Sequence, residues 1–228
     1  MASGATHIDI DGRDVDVPLS ALGEDQARDI GRWFAAMPAS ERPEIVLTSP
    51  YTRAVETAKF IEAEGGVTGA PAEFIIDERL REKEFGILDR LTREGIEKLY
   101  PEQAQFRRVM GKFYHRPPAG ESWCDVALRL RSALETITSH HAGKRTLIVG
   151  HQVVVLCLRY LIEQLTEKQI LAIDAEGDVA NCAVTEYAFD EGQGVRGKPM
   201  LLRYNFVAPV QEEGTQVTSE PDETLPAP

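Results

Sequence analysis

The sequence predicts an α/β fold, a three-layer α/β/α sandwich around a mostly parallel sheet with a C-terminal hairpin at its edge. Three short apolar runs, at residues 45–47, 74–76 and 146–149, alternate with amphipathic helical patterns. Continuous apolar runs are typical of parallel strands covered on both faces, and alternation of strands with helices favours a parallel sheet. Two later runs, at 184–189 and 200–206, are joined by a glycine-containing segment, which predicts the antiparallel hairpin.

Composition and charge limit the partners. The chain has 228 residues and a formal net charge of −12, which argues against nucleic acid or an anionic membrane as the main partner. We find no signal peptide and no apolar run long enough to cross a membrane. The three cysteines, Cys124, Cys157 and Cys182, lack metal-ligand spacing, and their odd number fits a reducing cytoplasm. The oligomeric state stays open.

The chain divides into three segments. Residues 1–17 carry several aspartates and little apolar pattern, so we expect an irregular N-terminal segment. Residues 18–208 form the predicted domain, which opens with a helix capped by Ser20. Residues 209–228 are rich in Pro, Glu and Thr without periodicity, which predicts a disordered acidic tail.

The strand at 45–47 leads into Ser49-Pro50-Tyr51-Thr52-Arg53. Ser49 can cap a helix and Pro50 suits the first helical position, so Arg53 falls in the first turn. A helix N-terminus offers unpaired N–H groups and a positive dipole end, both suited to a phosphate. Arg53 is therefore a candidate anion ligand, although a single arginine there is more often a solvated charge.

The strand at 74–76 is followed by a charged segment that holds Glu82 and ends at the turn residue Gly86. A glutamate in such a segment is usually exposed, so its position alone is a weak signal. Residues 90–119 then form a basic island that contains Arg107 and Arg108. This island could be a lid that attracts an anionic substrate or a solvated connection.

The strand at 146–149 ends at Gly150 and His151, and an apolar helix follows. Ligands of open parallel sheets bind at the carboxyl ends of strands, so His151 is placed to meet an anion. Arg53, Glu82 and His151 thus lie at three strand ends. Phosphoryl transfer needs an arginine for the equatorial oxygens, a proton donor for the leaving group and a further donor for the transition-state charge.

Four segments, in this order, resemble the histidine phosphatase (phosphoglycerate mutase-like) superfamily over roughly residues 18–207. They begin at Leu19-Ser20, at Ser49-Pro50-x-x-Arg53-Ala54-x-x-Thr57, at Leu80-x-Glu82-x-x-Phe85-Gly86 and at Val149-Gly150-His151. Many members have a glycine after this last histidine, where Gln152 stands here.

The resemblance implies hydrolysis of small phosphate esters through a phosphohistidine, with no metal or cofactor. Arg53 would bind the phosphoryl oxygens, His151 would stabilise the transferring group, and Glu82 would protonate the leaving oxygen. We expect Gln152, Arg107 and Arg108 to contribute to substrate binding, because Gln152 adjoins His151 and the two arginines resemble the paired arginines of mutases.

The nucleophile motif of the family is not found. No Arg-His pair precedes Leu19, and His7 lies in an unrelated context. Our hypothesis is that the natural protein carries further residues ahead of Met1 that include the first strand and the nucleophile.

Two alternatives to a phosphatase remain open. One is a phosphoglycerate mutase, but mutases of the family carry a long insertion between the acid and the second histidine, whereas Glu82 and His151 are 69 positions apart. The other is a non-catalytic relative that binds a phosphorylated ligand or a protein partner.

Overall fold

The computed structural model describes residues 6–8, 12–68, 73–190 and 198–219. Its helices are α1 Ala21–Ala35, α2 Thr52–Ala63, α3 Arg93–Leu99, α4 Pro101–Tyr114, α5 Trp123–His140, α6 Gln152–Ile162, α7 Glu167–Glu176 and α8 Ala208–Glu212. Its strands are β1 Ile45–Thr48, β2 Glu73–Ile76, β3 Thr146–Val149, β4 Val184–Asp190 and β5 Lys198–Phe206. Short 3₁₀ turns occur at Asp14–Asp16, Glu78–Leu80 and Gly86–Leu88.

The sheet and its two helical layers confirm the predicted three-layer fold. Strands β2, β1 and β3 form a parallel sheet in that order, and β4 pairs with β5 as an antiparallel hairpin. Ile45 and Leu47 of β1 pack on α5 and α6, whereas Leu147 of β3 packs with α1 and α2 on the opposite face. Alternate side chains of a strand point to opposite faces, so short apolar strands serve both layers.

Side-chain caps begin two of the helices, and the one at Ser20 was predicted. The Ser20 side chain accepts a hydrogen bond from the Gly23 N–H at the start of α1, and Ser122 with Asp125 forms a capping box at the start of α5. In α2 the prediction was wrong by two residues. That helix begins at Thr52, and Ser49 is engaged elsewhere instead of capping it.

The basic island at 90–119 is largely helical. Helices α3 and α4 occupy most of it, and their apolar cluster contains Leu88, Leu91, Ile96 and Ala104. The sequence signal was weak because α4 carries apolar side chains on its exposed face as well, among them Phe106, Val109 and Met110, so no single apolar stripe stands out.

The prediction of a disordered tail was wrong for residues 209–219. Val210 in α8 is fully buried against Ile30 and Phe34, and the amide of Gln26 donates to the Gln216 carbonyl. Apolar packing of Val210 and hydrogen bonds from Gln26 thus hold a segment whose composition suggests disorder. Residues 220–228, and the predicted turn containing Gly192 and Gly194, lie outside the described residues.

Candidate active site

The register of the parallel sheet brings three chain segments to one edge. Thr48 is level with Ile76 on one side and Val149 on the other, so the carboxyl ends of β1, β2 and β3 coincide. The Ser49 N–H donates to the Val149 carbonyl at 3.0 Å, and the Asp77 N–H donates to the Thr48 carbonyl at 3.0 Å. These bonds extend the alignment past the strands, into the segments that carry the candidate residues.

His151 is the N-cap residue of α6 and is almost completely buried. Its Nε2 lies 2.8 Å from the Ser49 hydroxyl oxygen. Its ring packs edge-to-face on Tyr51, with the two ring centroids 4.8 Å apart. Burial, followed by the charges of Arg53 and Arg129, lowers the pKa of His151 to about 3. The imidazole is therefore neutral at pH 7 in the ligand-free protein.

Arg53 lies in the first turn of α2, on the same side of the sheet edge. Its guanidinium lies 4.7 Å from the Tyr51 ring centre, so Tyr51 contacts both Arg53 and His151. Arg53 donates to both carboxylate oxygens of Asp14, at 3.0 and 3.2 Å, and to the Asp14 carbonyl at 2.9 Å. A carboxylate thus accepts the bidentate pair of hydrogen bonds that an arginine offers to a phosphoryl group.

Glu82 completes the group. One carboxylate oxygen lies 4.0 Å from His151 Nδ1, and the other accepts the Lys83 N–H at 2.6 Å. The side chain is 15% exposed, so it can reach both the interior and a bound ligand. The structure brings Arg53, Glu82 and His151 together as the sequence predicted, and their chemical roles remain predictions.

A cleft of about 280 Å³ opens beside this group. Its walls carry three cationic and three anionic side chains together with Tyr51, Val15 and Phe85: Arg13, Lys83, Arg90, Asp14, Glu84 and Asp89. The mixed charge favours a polar ligand of modest size over an extended polyanion.

Sequence reasoning missed three of the residues that shape the site. Ser49 was interpreted as a helix cap, Tyr51 was given no role, and Asp14 was assigned to a solvated loop. Ser49 and Tyr51 lie in the same segment as Arg53, and this position could have identified them as site residues. The contact of Asp14 with Arg53 crosses 39 positions, and no local pattern reports it.

Three predicted substrate ligands are engaged elsewhere. The amide of Gln152 donates to Asp178 at 3.2 Å and accepts the Val179 N–H at 3.0 Å, so it holds the segment after α7. Arg108 is exposed and donates to the Ala104 carbonyl of its own helix. Arg107 lines a small cavity with His115, and this cavity shares Lys83 and Phe85 with the cleft.

The other histidines lie away from this group of side chains. His7 pairs with Leu91 in an isolated β-bridge, His115 is buried beside Arg107, and His140 and His141 end α5. Among the residues that the structure describes, no cluster of His, Cys, Asp and Glu could hold a metal ion, and no helix is long and apolar enough to cross a membrane.

An arginine, a carboxylic acid and a buried histidine lie together at the carboxyl edge of the parallel sheet of this α/β fold. Residues 4–198 match the family model "Histidine phosphatase superfamily (branch 1)", and the chain belongs to that superfamily. The match covers most of the described residues and all three of the site groups.

Two relatives illustrate the sequence similarity. The chain is 36% identical over 145 residues to the "Probable phosphoglycerate mutase GpmB" of Yersinia enterocolitica, covering 63% of this chain and 62% of that protein. It is 31% identical over 201 residues to a "2,3-bisphosphoglycerate-dependent phosphoglycerate mutase 2" of Gloeobacter violaceus, covering 86% and 85%. The match to the first of these relatives thus spans less than two thirds of its length.

Solved structures share the fold. "Bacillus stearothermophilus YhfR" superposes with a TM-score of 0.69 at 25% identity, covering 86% of this chain and 88% of that chain. A mycobacterial glucosyl-3-phosphoglycerate phosphatase superposes with a TM-score of 0.66 at 24% identity, covering 85% and 90%. This second similarity shows the fold alone.

Proposed function

We propose that this site serves a phosphatase that hydrolyses small phosphate esters through a phosphohistidine. Arg53 binds the phosphoryl oxygens, His151 stabilises the transferring group and Glu82 protonates the leaving oxygen. The observation that carries the proposal is that Arg53 and His151 both contact Tyr51, while Glu82 faces His151 at 4.0 Å. The nucleophilic histidine of the scheme does not lie among the described side chains of the site.

The chemistry divides between binding and proton transfer. A bidentate guanidinium neutralises charge on the equatorial oxygens, and a positioned carboxylic acid donates its proton as the ester bond breaks. The phosphoryl group must replace Asp14 on Arg53, since both are bidentate acceptors for the same guanidinium. The nucleophilic histidine of the scheme forms a P–N bond as the protonated alcohol leaves. Water then attacks the phosphorus, the P–N bond breaks, inorganic phosphate leaves, and Glu82 recovers its proton from that water.

A panel of phosphate esters tests this function in the full-length protein. We expect release of inorganic phosphate, transient labelling of a histidine by ³²P-labelled substrate, and loss of release in Glu82→Gln. Phosphate binding without release or labelling would support the non-catalytic alternative, in which the group is an anion site.

A phosphoglycerate mutase is the second candidate, favoured by the names of the two relatives above. Against it, residues 83–150 contain only helices α3 to α5, their connections and β3, with no added domain. Isomerisation of 3-phosphoglycerate faster than phosphate release would establish the mutase and overturn the phosphatase.

A further inference from the structure

A buried ion pair lies behind Glu82, on the interior side of its segment. Arg129 of α5 donates through Nε and Nη2 to the two carboxylate oxygens of Glu121, at 2.9 and 3.0 Å. The two side chains are only 10% and 12% exposed. We propose that this pair, hereafter the Arg129–Glu121 brace, positions Glu82 for proton donation. The inference rests on the proposed function, because it assigns Glu82 the role of acid.

The brace holds the backbone of the Glu82 segment from two directions. Arg129 also donates to the Arg79 carbonyl at 2.6 Å and to the Glu82 carbonyl at 3.2 Å. Glu121 accepts the Glu84 N–H at 3.1 Å. The segment is thus fixed at three points around Glu82, although it contains no strand or α-helix of its own.

Fixing the backbone also fixes the carboxylate. The Lys83 N–H donates to one oxygen of Glu82 at 2.6 Å, while the other faces His151 Nδ1 at 4.0 Å. Rotation of the 82–84 backbone would therefore move the carboxylate relative to the leaving group. A displacement of about 1 Å is enough to lower a rate by roughly 100-fold.

The charges of the brace support the same assignment. Burial raises the pKa of Glu121, but the hydrogen bonds and charge of Arg129, with those of Glu84 N–H and Arg81, outweigh burial and lower it overall. Glu121 is therefore ionised at neutral pH and keeps Arg129 in place. The charge of Arg129 also contributes to the lowered pKa of His151, the residue that faces the Glu82 carboxylate.

The dependence of rate on the leaving group separates positioning from general damage. A general acid matters for an alkoxide leaving group and matters little for p-nitrophenolate. We expect Arg129→Gln to lower kcat for an alkyl phosphate by about 30-fold and kcat for p-nitrophenyl phosphate by less than about threefold. The matched control is Arg131→Gln, because Arg131 is an exposed arginine of the same helix. Equal losses on both esters would overturn the brace.

Hydrogen exchange gives a readout that needs no turnover. In Arg129→Gln we expect the Lys83 and Glu84 amides to exchange at least about tenfold faster, with amides of β1 unchanged. Unchanged exchange at both amides would overturn the brace. If the unsubstituted protein hydrolyses neither ester, the proposed function fails, and exchange still decides whether the brace holds the segment.

A second variant covers the risk that Arg129→Gln does not fold, since removing one partner of a buried ion pair is strongly destabilising. Glu121→Gln keeps the size of the side chain and leaves the Arg129 contacts to the two carbonyls. We expect it to show the same selective loss on the alkyl ester at a smaller magnitude, about fivefold. Equal loss on the two esters in this variant would also contradict the brace.

Discussion

The two sides of the site are built on similar ion pairs in different surroundings. On the acid side, the Arg129–Glu121 brace is 10% and 12% exposed and holds the Glu82 segment. On the anion side, Arg53 and Asp14 are 18% and 29% exposed, and Asp14 sits on a single 3₁₀ turn. Interior pairs are costly to break, whereas pairs nearer the surface are worth about 0–1 kcal/mol. We therefore expect the acid side to be the more rigid of the two, and the Asp14 carboxylate on the proposed anion side to be the easier to displace by a ligand.

The largest effect is expected from removing Arg53, the proposed anion ligand. Arg53→Ala should lower kcat/KM for phosphate esters by at least about 100-fold, because a lost transition-state donor costs about that much. Arg28→Ala is the control, since Arg28 is a helical arginine paired with Glu64 outside the site. Calorimetric titration with phosphate measures the same loss without turnover. An unchanged phosphate affinity would remove Arg53 from the site.

Rigidity on the acid side is tested at Gly86. This residue has a φ of +57°, and an added Cβ would lie 2.1 Å from the Pro118 carbonyl oxygen. We expect Gly86→Ala to lower the free energy of unfolding by about 3 kcal/mol in urea denaturation. Gly143→Ala shares a positive φ but has open space, so it should cost only about 1 kcal/mol. Equal losses of unfolding free energy in the two variants would show that the segment around Gly86 can move to accommodate a Cβ.

The stability of the folded chain should depend on pH through His151. Its pKa in the folded chain, about 3, lies below its ordinary value of 6.5, so its contribution to stability is complete above pH 6.5 and is lost as pH falls toward 3. At pH 5 the loss should reach about 2 kcal/mol. His151→Gln should remove that part of the pH dependence, as denaturant unfolding between pH 5 and 8 will measure. Bound phosphate should raise the pKa of His151, which NMR of the ring can follow.

Sequence reasoning reached the parts of the molecule that local pattern determines. The short apolar strands follow from their apolar runs, and the Ser20 cap follows from capping preference. The aligned ends of β1 and β3 place Arg53 and His151 at one edge of the sheet. The order of the strands and the second layer of contacts depend on packing between distant segments. The brace is of this second kind, since Arg129 meets the Glu82 carbonyl across 47 positions.

Two positions show what local sequence does not report. Gln152 is predicted to bind substrate, which stays a prediction, and residues 209–219 were assigned to disorder because of their composition. In both cases a long-range contact decides: Gln152 bonds Val179, and Val210 fills the space over α1. Local sequence carries no record of either partner.

The smallest expected effect concerns the carboxylate that occupies Arg53. If Asp14 competes with a phosphoryl group, Asp14→Asn should raise the affinity for inorganic phosphate roughly fivefold, which corresponds to the ~1 kcal/mol of a partly exposed ion pair. Asp16→Asn is the control, because Asp16 pairs with the exposed Arg13 on the same turn. Both variants remove one negative charge near the cleft, so a general electrostatic effect would change them equally. A gain in phosphate affinity confined to Asp14→Asn in calorimetric titration would show that phosphate displaces Asp14 from the Arg53 guanidinium. An unchanged affinity would show that the contact between Asp14 and Arg53 is structural, like the brace.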